Sequence, residues 1–140
     1  DGFGLSVSAS FLDSELDSAI DGGPIVVPGL SEEIVNATLF YEKNGFSARA
    51  SVRDREDFLG ERFGISFSRQ FTTVKGATIW DAQIGYDFGE AGVEALDGLA
   101  ISFQAQNITD EPYTTINGDG FVTDFQRYGR TYLINARYRF

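Results

Sequence analysis

The sequence predicts an all-β protein, an antiparallel up-and-down meander of about six strands of about 10 to 14 residues each. Apolar and polar residues alternate with a period of two in six separate segments, as they do on strands with one apolar face. Sixteen Gly residues and an aromatic content of 14% accompany only three Pro residues, a composition that suits strands and turns. Asn44-Gly45 separates two alternating segments and predicts a tight hairpin.

The first three strands are the clearest. Residues 3–11 alternate almost without a break, and an acidic, turn-rich stretch follows. Residues 35–41 resume the alternation and lead directly into Asn44-Gly45. The partner strand covers residues 46–53, with Phe, Ala and Val on one parity and Ser and Arg on the other.

The remaining strands follow with one ambiguous stretch between them. Residues 64–73 alternate weakly and fit either a strand or a loop. The pattern recovers over residues 80–88 and again over residues 99–106. The last strand covers residues 130–140, with Leu133 as the exception on its polar parity.

Composition excludes several classes of function. With 140 residues the chain makes one domain at most. The absence of Cys and His removes disulfides, thiol nucleophiles, Ser-His catalysis and imidazole–metal sites. The net charge of −10 disfavours a nucleic-acid partner, and no carboxylate pair can be assigned to acid/base catalysis. We therefore expect no enzyme and no cofactor. Because the chain contains no Met, we expect a processed product or part of a longer chain.

The lengths of the connections alternate. Residues 13–32, 54–72 and 110–127 form long connections, whereas residues 44–45 and 89–97 form short ones. Bacterial outer-membrane barrels alternate long extracellular loops with short periplasmic turns, and their strands need roughly 9 to 11 residues to span the bilayer. No run approaches the roughly 18 apolar residues of a spanning helix, so a helical membrane protein is excluded.

Aromatic residues concentrate at one end of the predicted sheet, the end with the short turns, and all of them lie on the apolar parity. They are Phe3, Tyr41, Phe46, Tyr86, Phe88, Tyr138 and Phe140. Such a ring is typical of the aromatic girdle of a membrane barrel. Aromatic core residues of a soluble β-sandwich are the alternative.

The opposite parity is polar and predicts a lumen. It carries Arg49, Arg53, Arg137 and Arg139 with Glu42, Asp81 and Asp87. Cross-strand salt bridges within the wall are the favoured interpretation of these charges. The alternative is contact with an anionic ligand, for which the candidate lumen-facing residues are Arg49, Arg53, Asp81 and Arg137.

Two loops hold candidate Ca²⁺ ligands. The first is an acidic loop without Lys or Arg that contains Asp13, Glu15, Asp17, Asp21, Glu32 and Glu33. The second is Asn117-Gly118-Asp119-Gly120 with Asp124 beyond it, which lacks the closing Glu of a Ca²⁺ loop. A solvated loop is the simpler interpretation of both, so no metal site is expected.

Six strands are too few to close a membrane barrel, since single-chain bacterial barrels start at about 8 strands. We therefore expect part of a larger barrel or an oligomer.

Three segments resemble a known family, the TonB-dependent outer-membrane receptors. Gln106-Asn107-Ile108-Thr109-Asp110-Glu111-Pro112-Tyr113 resembles the N-[IL]-T-[DN]-x-x-Y segment near the end of these receptors. Tyr128-Gly129-Arg130-Thr131-Tyr132, followed by Ala136-Arg137-Tyr138-Arg139-Phe140, is similar to their last strand with its terminal Phe. Pro28-Gly29-Leu30-Ser31, then Asn36 and Tyr41-Glu42-Lys43-Asn44-Gly45-Phe46, is similar to an earlier hairpin of the family. The matches occur in the expected order over nearly the whole chain.

The resemblance implies that residues 1–140 form the C-terminal part of a 22-stranded transmembrane β-barrel, without the plug domain and the N-terminal strands. It further implies a location in the outer membrane of a Gram-negative bacterium, in contact with its lipid. Such receptors import scarce nutrients (iron-siderophores, haem, cobalamin or sugars) with energy from the TonB complex, which acts through the plug. The barrel-assembly machinery would recognise the last strand through Tyr138 and Phe140.

Two alternatives stay open. One is a different outer-membrane barrel, a passive porin or a translocator, which would have no plug. The other is a soluble β-sandwich binding module, which would fold as a monomer in buffer without detergent.

Overall fold

A computed structural model describes residues 2–18 and 22–140 of the chain. Over these residues the chain folds into antiparallel β-sheets joined by turns. Its strands are β1 (Phe3–Phe11), β2 (Leu16–Ser18), β3 (Gly23–Ile25), β4 (Glu33–Lys43), β5 (Phe46–Arg55), β6 (Phe58–Phe63), β7 (Arg69–Val74), β8 (Ala77–Asp87), β9 (Leu99–Gln106), β10 (Tyr113–Ile116), β11 (Val122–Gln126) and β12 (Thr131–Tyr138). Two short 3-10 turns, Ile65–Phe67 and Glu94–Leu96, are the helical elements of the described residues, and neither is long or apolar enough to cross a membrane.

The main sheet contains the six strands expected from the alternation, in the order β1-β4-β5-β8-β9-β12. All five neighbouring pairs are antiparallel, so the meander is confirmed. The strands are 8 to 11 residues long, shorter than the expected 10 to 14. The sheet is open, with β1 and β12 as its two edges.

The strand register places the two parities on opposite faces. Phe3, Tyr41, Ala48, Ile84, Phe103 and Ile134 form one continuous row of directly paired residues across the six strands. Since paired residues project to the same side of a sheet and neighbours along a strand alternate, the apolar parity forms one face. We call this the apolar face and the opposite side the polar face. Slipping one strand by a residue would exchange its two sets of side chains.

The Asn44–Gly45 turn sets this register between β4 and β5. Both residues adopt positive φ, 49° and 78°, as the predicted two-residue hairpin requires. A side chain at Gly45 would also collide with the backbone, because its Cβ would lie 2.2 Å from the Asp87 carbonyl oxygen.

Nothing in the described part of the chain covers the apolar face. Its side chains are largely exposed, with 73% for Phe3, 69% for Leu5 and 77% for Ile134. Among the described residues, Val74 and Ala105 are the only buried apolar side chains. The main sheet is therefore a single layer without the core that a two-layer domain would have.

The long connections contain further strands, where loops were expected. β6 and β7 form one hairpin, β10 and β11 form another, and β7 pairs with β10 to give a second sheet in the order β11-β10-β7-β6. We call this the outer sheet. The ambiguous stretch at residues 64–73 resolves into the 3-10 turn at Ile65–Phe67 and most of β7. The acidic connection holds the short hairpin β2–β3.

Candidate functional site

Recesses on the polar face of the main sheet contain the candidate lumen-facing residues. One, about 790 Å³, lies at the end with the Asn44–Gly45 turn and includes Arg137 in its wall. A small recess of about 110 Å³ is lined by residues that include Arg49. Another, about 490 Å³, lies at the opposite end, where β5 and β8 lead into the outer sheet. We call this last recess the cationic groove because of the residues that line it.

Three cations and two carboxylates line the cationic groove. Arg53 and Arg55 alternate on β5 and so share the polar face, and Lys75 follows β7. Asp81 is on the adjacent strand β8, where it pairs with Ser51, two residues before Arg53. Glu111 comes from the segment that connects β9 to β10. The groove volume falls within the range of small-molecule sites, about 300 to 1,000 Å³.

Lys75 is already paired, but with a carboxylate outside the groove lining. Its ammonium group forms an ion pair with Asp57, which lies beyond the end of β5. The hydrogen bond from Lys75 lowers the pKa of Asp57 below its usual range, and the Gly76 N–H, 2.6 Å from Oδ1, lowers it further. Lys75 is therefore a partly neutralised cation at the groove rim.

The two arginines differ from Lys75. In the part of the chain that the structure describes, neither Arg53 nor Arg55 belongs to an ion pair. The Arg55 guanidinium lies over the Phe58 ring, with Cζ 4.7 Å from the ring centroid. Its Nε is buried and has no hydrogen-bond partner in the part of the chain that the structure describes. Because Nε is shielded, an acceptor in the groove would use the terminal Nη donors of Arg55, which lines the groove.

Asn107 fastens one wall of the groove. Its Oδ1 accepts from the Glu111 N–H at 2.8 Å, and its Nδ2 donates to the carbonyls of Glu111 at 3.3 Å and Gly129 at 3.1 Å. Its own N–H donates to Asp81 Oδ1 at 2.9 Å. Asn107 adopts φ of 51°, a conformation that Asn tolerates better than most residues. The segment that resembles the receptor motif thus holds together β8, the start of β10 and the approach to β12.

Further bonds from the same segment strengthen this junction. The Ile108 N–H donates to the Trp80 carbonyl at 2.9 Å, and the Ile108 carbonyl accepts from Arg130 Nε at 2.7 Å. Asp110 pairs with Arg127 at 2.8 Å. Local structure therefore explains Asn107 and Asp110 of the motif through their side-chain bonds.

The structure brings together two of the four lumen-facing candidates. Arg53 and Asp81 line the cationic groove, whereas Arg49 and Arg137 lie in two other recesses. The sequence marked Arg55 only as part of a mixed charge run, residues 54–57, that could contact substrate or form a hydrated loop, although it shares the parity of Arg53. Sequence reasoning missed Lys75 and Glu111, which long connections carry to the groove and which no local pattern marks.

The expected salt bridges within the wall are wrong for the described residues. Arg49, Arg53, Arg137 and Arg139 form no ion pair there. Backbone N–H groups occupy two of the intended partners instead. Asp81 accepts from Asn107, and Asp87 Oδ1 accepts from Gly89 at 3.0 Å and Glu90 at 3.2 Å.

The aromatic cluster at the short-turn end is formed as expected. Its ring contacts join Phe3 to Tyr41 at 4.5 Å, Tyr41 to Phe46 at 6.0 Å, Tyr86 to Phe88 at 5.0 Å and Tyr138 to Phe140 at 6.0 Å. Tyr138 pairs with Leu99 on edge strand β12, with 60% of its side chain exposed. The role of Tyr138 and Phe140 in assembly stays a prediction.

The candidate Ca²⁺ loops gain no support. Within residues 2–18 and 22–140, no three acidic side chains converge as metal ligands, and Asp21 lies outside the described residues. In the second loop Asn117 Oδ1 accepts from the N–H groups of Asp119 at 3.1 Å and Phe121 at 2.9 Å. These bonds explain Asn117 as a turn residue.

Comparisons with known proteins add no assignment. No family model matches the chain, and no curated protein or solved structure is significantly similar to it.

Proposed function

We propose that this chain forms the C-terminal strands of the barrel of a TonB-dependent outer-membrane receptor, which binds a scarce nutrient and imports it with energy from TonB. In this proposal the main sheet is a sector of a 22-stranded barrel. The apolar face contacts lipid, and the polar face lines the lumen.

The observation that carries the proposal is the uncovered apolar face. Soluble monomers rarely expose continuous apolar patches of more than a few hundred Å². Here apolar side chains of all six strands are exposed on one side of a single-layer sheet. A bilayer satisfies such a face without a second protein layer, and membrane barrels place polar side chains on the opposite, lumen side.

Two further features fit the same arrangement. The cluster of aromatic rings lies at one end of the apolar face, where a girdle at the membrane interface belongs. The long hairpins that build the outer sheet all leave the main sheet at the opposite end. Outer-membrane barrels place their longer connections outside the cell. The open edges β1 and β12 would pair with the other strands of the barrel.

Cell fractionation tests the membrane assignment. An antibody against residues 128–140 is used on source cells separated into soluble, inner-membrane and outer-membrane fractions. Signal in the outer-membrane fraction that resists extraction with urea supports the proposal. Signal in the soluble fraction would overturn it in favour of the β-sandwich.

Energy dependence then separates a receptor from a passive porin or a translocator. Uptake of iron-siderophore, haem, cobalamin and oligosaccharide is measured in three strains: the source cells, the same cells without TonB, and the same cells without this protein. A TonB-dependent uptake that also requires this protein supports the receptor. If every uptake that requires this protein is unchanged without TonB, the receptor assignment is wrong.

A further inference from the structure

We propose that the cationic groove binds the oxyanion group of a small ligand, a carboxylate or a phosphate, with Arg53 and Arg55 as its anchoring residues. This deepens the proposed function, on which its biological meaning rests, because only a barrel would direct this face towards a lumen.

The groove is much less acidic than the chain as a whole. Three cations and two carboxylates line it, whereas the whole sequence has 11 cations and 21 carboxylates. Of the two carboxylates, Asp81 already accepts a hydrogen bond from the Asn107 N–H. Of the three cations, Lys75 is ion-paired with Asp57. Arg53 and Arg55 are therefore the cations of the lining that are available to a ligand.

The hydrogen-bond inventory leaves both arginines available. Neither Arg53 nor Arg55 forms a side-chain hydrogen bond or an ion pair within the described residues. A bound oxyanion could accept from their guanidinium groups. Arginine suits this role because its planar guanidinium presents several donors in a fixed geometry that matches carboxylate and phosphate oxygens. The stacking of Arg55 on Phe58 restricts the orientation of that guanidinium before any ligand arrives.

The rest of the lining suits a small organic body better than a bare ion. Tyr113 and Tyr128 contribute aromatic walls, and Ala77 and Ile79 line the groove from strand β8. A volume of about 490 Å³ also exceeds what a single phosphate ion fills. The ligand class is therefore a small organic molecule with at least one oxyanion group.

The test measures anion binding to the full-length protein in detergent, by calorimetry at low ionic strength. The probes are citrate and inorganic phosphate, with choline as a cationic control. Arg53→Gln and Arg55→Gln remove the proposed anchors. Arg49→Gln is the matched control, because Arg49 is on the same strand and face but lines a different recess. A β-sheet circular-dichroism spectrum and recovery in the membrane fraction are required of each preparation.

We expect wild type to bind citrate or phosphate but not choline, and the relative affinities of the two anions identify the preferred oxyanion. Arg53→Gln and Arg55→Gln should each weaken binding at least 10-fold, and Arg49→Gln less than 2-fold. Equal losses in all three variants would overturn the proposal, since they would indicate a diffuse field of positive charge. Folded, membrane-recovered wild type that binds neither anion would also overturn it, while leaving the membrane assignment intact. Absence of the wild-type protein from the membrane fraction would instead contradict the proposed function.

Discussion

The same six strands build both faces of the main sheet, yet the two faces differ in the chemical groups that they leave exposed or unpaired. On the apolar face the side chains are exposed and uniform in character, and they offer no specific geometry. On the polar face the side chains enclose recesses and include Arg55 Nε, a buried donor without a partner among the described residues. The comparison shows why the proposals for the two faces differ. An exposed apolar surface favours an apolar environment, whereas polar side chains can be satisfied by water or by a ligand that offers hydrogen bonds.

The largest effect expected from this comparison concerns a charge placed on each face. Leu39 on the apolar face is 52% exposed, and its neighbour Thr38 lies on the polar face. Leu39→Arg should destabilise the protein by about 2 to 4 kcal/mol in a bilayer, because the cation would meet hydrocarbon. Thr38→Arg, the control, should change stability by less than about 1 kcal/mol because it faces water. Urea unfolding in phospholipid vesicles, followed by the fluorescence of Trp80, measures both. Equal changes would contradict the assignment of the faces.

A smaller effect is expected at the junction that shapes the polar face. Asn107→Ala removes three side-chain hydrogen bonds and should cost about 2 to 3 kcal/mol, at roughly 1 kcal/mol each. Asn117→Ala is the control, since Asn117 makes similar bonds within an exposed turn of the outer sheet and should cost at most about 1 kcal/mol. The same unfolding measurement applies. If the two variants lose equal stability, the motif does not fasten the groove wall.

The smallest effect is a pH dependence at the groove rim. The pKa of Asp57 is lowered in the folded protein, so its ion pair with Lys75 stabilises the fold above the ordinary carboxyl pKa of about 3.9. That contribution is lost as the pH falls from there through the lowered pKa. Because both groups are largely exposed, it should not exceed about 0.5 kcal/mol. Asp57→Asn should therefore be slightly less stable than wild type at pH 6 and equally stable near pH 2. A difference that grows towards acid pH would contradict this sign.

Much of the main sheet was predictable because a strand displays its residues alternately on two faces. The alternation around residues 3–11 and 46–52 predicted both the strands and their apolar face, and Asn44-Gly45 predicted the hairpin. The outer sheet was not predicted. Its strands are only 4 to 6 residues long, and the pairing of β7 with β10 joins segments about 40 residues apart, so no local pattern reports it.

The candidate site shows the same division. The sequence alone was enough to place Arg53 and Asp81 on the polar face, because face assignment depends only on parity along each strand. The enclosure of Arg53 with Lys75, Glu111 and Tyr128 required the folded chain, since these residues come from connections whose course depends on long-range pairing. In the folded chain Asp81 accepts a hydrogen bond from the Asn107 backbone N–H and does not pair with an arginine of the described residues. Every non-Pro residue carries a backbone N–H donor, and the three-dimensional course of the chain decides which donor a carboxylate meets.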